Sequence, residues 1–144
     1  MIYLDACALV KLVAAEPETP ALQRYLDGRR SEMISCELAL TEVIRSARRS
    51  RYDRQQSRPA DDSVIAARVQ AAAALLDEID LIVVSTSTFI QAGAFSSDPG
   101  VGSLDAIHLV SAQRIGSALD AFVTYDKALA RAAADCGLPV AQPA

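Results

Sequence analysis

A chain of 144 residues, 51% of them hydrophobic, is long enough for one domain that buries about two-thirds of its unfolded surface. It carries no apolar run near the ~20 residues that crossing a bilayer takes, and its formal net charge of −4 argues against a generic nucleic-acid coat, which would be strongly basic. An acid at position 5, with no basic segment ahead of a greasy one, is unlike a secretory signal. The scattered Cys7, Cys36 and Cys136, without CxxC or Cys/His spacing, read as reduced, mostly buried thiols of a cytosolic protein rather than a zinc site.

In chain order, Ile2, Tyr3 and Leu4 form a short apolar, β-prone run, which predicts a strand buried on both faces of a parallel sheet. Asp5 follows at once, and Ala6 to Ala14 should be helical until Pro17 stops it. Asp5 thus falls where open α/β sheets place their ligand sites, although a plain helix N-cap would account for it equally well. Glu18 to Leu26 predicts a second helix ended by Asp27-Gly28, and Met33 to Ser35 a second strand. From Leu38 the pattern is helical, with Leu40, Val43, Ile44 and Ala47 as the apolar stripe and Glu42, Arg45, Arg48 and Arg49 around the rest. A polar loop is expected over Tyr52 to Pro59. The run Arg45, Arg48, Arg49, Arg51, Arg54 and Arg58, opposed only by Asp53, fits a phosphate-binding edge or an ion-paired, solvated face.

Asp61-Asp62-Ser63 starts a predicted helix over Val64 to Ile79, buried through Ile65, Val69, Ala72, Leu76 and Ile79. Leu81 to Val84 is apolar throughout and predicts another strand buried on both faces. A helix over Ser87 to Phe95 and a loop over Ser96 to Gly100 follow, then a helix from Ser103 to about Arg114. Ala121 to Thr124 predicts a fourth strand. Asp126 caps a helix to Cys136, Gly137 ends it, and Leu138-Pro139-Val140 makes a last edge strand. Such alternation predicts a single α/β domain, 1–144, around a mainly parallel sheet.

Four acids take related places. Asp5 and Asp126 follow strands, Asp105 opens a helix, and Glu42 sits about one turn into one. Strand ends and helix starts share one edge of a parallel sheet. Carboxylates converging there would raise one another's pKa values unless a cation held them. Oxygen ligands select a hard divalent ion such as Mg²⁺, and phosphodiester hydrolysis is the chemistry such a cluster serves. Helix capping and pairing of Glu42 with Arg45 or Arg49 are the plainer explanations, residue by residue.

The blocks Ile-Tyr-Leu-Asp5-x-x-Ala-Leu-Val-Lys-Leu, Leu-Thr-Glu42-Val-Ile-Arg45, Ser-Leu-Asp105-Ala-Ile-His108-Leu and Val-Thr124-Tyr-Asp126-Lys-Ala-Leu together resemble PIN-domain ribonucleases, and most closely the VapC toxins of bacterial toxin–antitoxin pairs. The resemblance runs from Met1 to Pro139. It implies a three-layer sandwich with a sheet of about five strands, and endoribonuclease activity dependent on Mg²⁺, with Mn²⁺ as an alternative. It also implies a homodimer and inhibition by a cognate VapB-like antitoxin. Asp5, Glu42, Asp105 and Asp126 would be the acidic, metal-holding set, with Thr124 a supporting hydroxyl. Arg45 and Arg49 are the candidates for RNA contact, and structured RNA such as tRNA or ribosomal RNA is the implied substrate. A cytoplasmic protein that binds no membrane is expected. A module of this fold that binds RNA or antitoxin without cutting is the alternative reading, and a phosphotransfer domain a weaker one.

One departure stands out. Many relatives carry a hydroxyl residue directly after the first acid, whereas Ala6-Cys7 follows Asp5 here, so activity or metal preference should be tuned. His108, the single histidine, is read as a core residue in preference to one that touches substrate.

Overall fold

The computed structural model describes residues 1–29, 32–49, 52–53, 58–95 and 100–144, with 52–53 and 58–59 as backbone only. Five strands, β1 (Ile2–Leu4), β2 (Met33–Cys36), β5 (Asp80–Ile82), β6 (Ala121–Val123) and β7 (Val140–Ala141), form one sheet in the order β5-β2-β1-β6-β7. Every pairing in it is parallel. The helices are α1 (Ala6–Val13), α2 (Thr19–Leu26), α3 (Leu38–Arg49), α4 (Asp62–Asp77), α5 (Thr86–Gly93), α6 (Ser103–Gln113) and α7 (Lys127–Asp135).

Side chains alternate across a strand, and that alternation divides the core in two. Ile2, Leu4, Ala121 and Val123 face one side and pack with Leu9 of α1, Leu22 and Leu26 of α2, Ala39 and Val43 of α3, and Ala72 and Leu76 of α4. Tyr3 and Phe122 face the other, against Ile107 and Leu109 of α6 and Leu129 and Ala132 of α7. The result is helix, sheet, helix. Leu9 is fully buried and anchors α1 on the first face. Leu9→Ala should therefore cost about 2–5 kcal/mol, read as a lower urea midpoint at unchanged slope.

Three expectations are corrected. The third predicted strand is Asp80–Ile82 rather than Leu81–Val84, and it is not buried on both faces: Asp80 and Val83 are exposed. β5 lies at the sheet margin with β2 as its only neighbour among the described residues, and the chain then leaves the ladder, Val84 N–H donating instead to Glu37 at 2.9 Å. On α3 the buried line is Ala39, Val43 and Ala47, while Leu40 is exposed. Two short strands, β3 (Tyr52–Asp53) and β4 (Arg58–Pro59), pair antiparallel where a polar loop was expected; two residues are too few to show a period-two pattern. Of the cysteines, only Cys36 is fully buried, and Cys7 and Cys136 are partly so. Residues 96–99 of the expected 96–100 loop lie outside the described residues. Among the described residues, no helix is long and apolar enough to cross a membrane.

Candidate active site

β1 is the middle strand. From it the chain goes to β2 and β5 on one side and to β6 and β7 on the other, so the crevice for a ligand opens at the carboxyl ends of β1 and its neighbours. Asp5 leaves β1 there, 3% exposed. Its Oδ1 accepts the Ala8 N–H at 2.7 Å and so caps α1. Its Oδ2 accepts the Thr124 hydroxyl, and the Cys7 thiol at 3.2 Å. Thr124, fully buried at the end of β6, also accepts the Asp126 N–H at 3.1 Å, while the Tyr125 N–H donates to Cys7 Sγ at 3.2 Å. The ends of β1 and β6 are thus tied through one carboxylate, one hydroxyl and one thiol.

Burial pushes the Asp5 pKa up, and the hydrogen bonds from Thr124 and Ala8 pull against it. Burial first and the neighbouring Asp5 second push the Cys7 thiol up to about 12, so Cys7 is a neutral donor rather than a nucleophile. As the weak substitute for a hydroxyl that the sequence suggests, it gives that acid a weaker hydrogen bond than a hydroxyl would.

Beside this knot opens a cleft of about 440 Å³ whose walls include Cys7, Val10, Lys11, Glu42, Tyr125 and Asp126. Asp126 caps α7 by accepting the Leu129 N–H at 2.8 Å. Glu42 reaches in from α3, its Oε2 2.9 Å from His108 Nε2. Lys11 is occupied: it donates to Glu16 at 2.6 Å and Glu18 at 2.8 Å, with the Tyr125 ring 4.7 Å away. Burial opposes its charge, but those acids outweigh burial and push its pKa up.

Asp105 stands apart. It is the third residue of α6, folds back to accept the Gly102 N–H at 3.0 Å, and is not among the residues lining the cleft. It is linked to the others through α6, one turn before His108. Among the described residues, no three His, Cys, Asp or Glu side chains cluster tightly enough to cage an ion. The carboxylates that border the cleft, Glu16, Glu42 and Asp126, and the hydroxyls of Ser46 and Tyr125 are nevertheless hard oxygen donors that fit Mg²⁺ or Mn²⁺ better than zinc. The Cys7 thiol beside them is protonated and bonded to Asp5. In these contacts Glu42, Asp126 and Asp105 each engage one carboxylate oxygen, and each carries a second with which an ion could be met.

Arg45 and Arg49 are exposed on α3, about one and two turns beyond Glu42. Of the rest of the basic strip, Arg51 and Arg54 lie outside the described residues. His108 is the residue that sequence reasoning undervalued. It is a core residue as expected, 2% exposed, but its ring binds Glu42. Its place three residues after Asp105 was the available signal. Burial opposes charge on the ring, yet hydrogen bonds to Cys36 and Glu42 outweigh it and push its pKa up.

The chain is similar to known proteins. The PIN domain family is matched over residues 2–135. Ribonuclease VapC35 of Mycobacterium tuberculosis is 42% identical over 147 residues, 99% of this chain and 97% of that one. Ribonuclease VapC46 of the same organism is 37% identical over 142 residues, with the same shares covered. Among solved structures, a chain of the VapBC2 complex from Rickettsia felis, bound to a DNA fragment from its promoter, superposes with a TM-score of 0.64 at 15% identity, covering 100% of both chains. Matches of this identity over nearly the whole length place the protein in the PIN-domain family, among the VapC ribonucleases.

Proposed function

We propose that this chain acts as a single nuclease domain, a divalent-cation-dependent endoribonuclease that serves as the toxin of a type II toxin–antitoxin pair. The observation that carries the reading is Asp5. It is a carboxylate buried against its own pKa at the switch point of the sheet, tied to a buried threonine, beside a cleft bordered by Glu42 and Asp126. Asp5 also caps α1, but a neutral Asn or Ser would cap it without a charge to bury. The relatives named ribonucleases supply the reaction class.

Asp5, Glu42, Asp105 and Asp126 would hold Mg²⁺ or Mn²⁺, and Thr124 would fix the Asp5 carboxylate. A bound cation would supply positive charge at the scissile phosphate and make a water acidic enough to attack it near neutral pH. The protein does the rest. Thr124 and Ala8 orient Asp5, α7 orients Asp126 through its cap, and Arg45 and Arg49 attract the phosphates of a tRNA or ribosomal RNA substrate. Lys11, held by Glu16 and Glu18, is left out of that role.

A VapB-like antitoxin is the proposed inhibitor, since the cleft joins apolar Val10 to the acids Glu16, Glu42 and Asp126 and suits an amphipathic segment that ends in arginine. A homodimer is proposed on the exposed apolar side chains Val83, Phe89, Ile90 and Leu104, and a cytoplasmic location on three scattered cysteines without a pairing pattern in the sequence.

Purified protein with Mg²⁺ or Mn²⁺ and a mixed RNA pool should cut RNA, and EDTA should stop it with a rate loss of roughly 10³-fold or more, the several kcal/mol a catalytic metal supplies. Cleavage that persists in EDTA would overturn the reading. RNA bound but never cut would favour the binding-only alternative.

A further inference from the structure

The single histidine of the chain is inside the second core, yet its ring is used for polar contacts. His108 Nε2 lies 2.9 Å from Glu42 Oε2, and Nδ1 shares a hydrogen bond of 2.7 Å with the Tyr3 hydroxyl. Cys36 Sγ is 3.6 Å from the same nitrogen. Tyr3 is fully buried and cannot turn: its ring stacks on Phe122 at 5.3 Å and meets His108 edge-on at 5.9 Å. An ionised carboxylate only accepts hydrogen bonds, so Glu42 places a proton on Nε2. The imidazole is therefore fixed at both nitrogens before anything enters the cleft.

Glu42 is the opposite kind of group. Its side chain is 25% exposed, has three rotatable bonds and lines the cleft. α3, which carries it, packs in the first core, and α6, which carries His108, packs in the second. The contact between them spans 66 residues of sequence and links the two helical layers at the edge where Asp5 leaves the sheet. An apolar side chain at 108 would fill the core as well and would leave Glu42 to wander.

We propose that His108, backed by Tyr3, is a positioning residue that holds one oxygen of Glu42 so that the other is presented to a cation in the cleft. The proposal rests on the metal-dependent reading above and adds to it a residue that touches neither substrate nor ion. Residues that orient metal-holding side chains in this way typically matter by about 10–100-fold in affinity.

Two measurements on the full chain test it. Calorimetric titration with Mn²⁺ should show His108→Leu weakened by about 10–100-fold. His108→Gln, whose amide N–H reaches close to the position of Nε2, should stay within a few-fold of wild type. A role confined to packing would lower the melting temperature of both variants without separating their Mn²⁺ affinities. The second measurement needs no core substitution: with one histidine, the imidazole nitrogen resonances of isotope-labelled protein are unambiguous. Glu42→Gln without metal should shift the Nε2 signal, and Mg²⁺ should shift it saturably in wild type. His108 signals unmoved while Mg²⁺ binds, or a folded His108→Leu with wild-type Mn²⁺ affinity, would overturn this proposal alone. Wild-type protein that takes up neither ion would overturn the metal-dependent reading and this proposal with it.

Discussion

Asp5→Asn is expected to cut cleavage by on the order of 10³-fold and, in the same preparation, to raise the melting temperature by a few degrees. The two effects come from one cause. Asp5 is 3% exposed, and burial disfavours its charged form, so its pKa is raised in the folded chain. A group whose folded pKa is raised favours folding fully only below its unfolded pKa, and that contribution is lost as pH rises through the folded value. Wherever the wild type ionises Asp5 in the folded state, it therefore carries a buried charge at a cost. Asn keeps the oxygen that caps α1 through the Ala8 N–H but has no charge to bury. Scans across pH should show the two proteins alike in strong acid, with the gap widening in favour of Asp5→Asn above the ordinary carboxylate range. Cleavage with Mg²⁺ should fall on the order of 10³-fold, the several kcal/mol that a lost metal represents. A variant that is both less stable and still active would mean that Asp5 is only a cap.

Much of what positions that acid is legible in the sequence. β1 reads as doubly buried because Ile2, Tyr3 and Leu4 are all apolar, and it is indeed the central strand. The same signal misleads at Leu81 to Val84, since an apolar run looks alike whether it has two neighbours or one, and β5 has one among the described residues. On α3 the apolar pattern favours Leu40 for its size, whereas close packing of α3 against α1 and α4 selects Ala39. Asp5 and Asp126 follow strands directly, so their edge of the sheet is legible from position alone. Side-chain direction is not. Asp105 opens its helix as expected but turns back to Gly102, and no local pattern could join Glu42 to a histidine 66 residues away. Chain order tells which edge a residue reaches; what it touches there is set by packing between elements far apart in sequence.

The sharpest probe of how the strand ends cooperate is Thr124→Val, a change that nearly preserves shape and removes one hydroxyl. That hydroxyl donates to Asp5 Oδ2 and accepts the Asp126 N–H. Without it Asp5 Oδ2 is left with the weak Cys7 thiol while Oδ1 keeps the Ala8 N–H, and the backbone N–H ahead of α7 loses its acceptor. The expected loss is about 1–3 kcal/mol of stability for the unsatisfied groups, seen as a melting temperature lower by roughly 3–10 °C. Cleavage should fall by about 10–100-fold. Thr124 also pulls the Asp5 pKa down, so its removal keeps the carboxyl protonated to higher pH, and the acid limb of the activity profile should move upward. Thr124→Ser, which restores the hydroxyl, should recover most of the rate and return the limb. The coupling is separable from plain packing. In the Asp5→Asn background no charge needs the hydroxyl, so Thr124→Val should cost less there, by about 0.5–3 kcal/mol, the range typical of directly bonded pairs. Equal costs in both backgrounds would show that Thr124 fills space at the end of β6 and does not hold Asp5 for the ion.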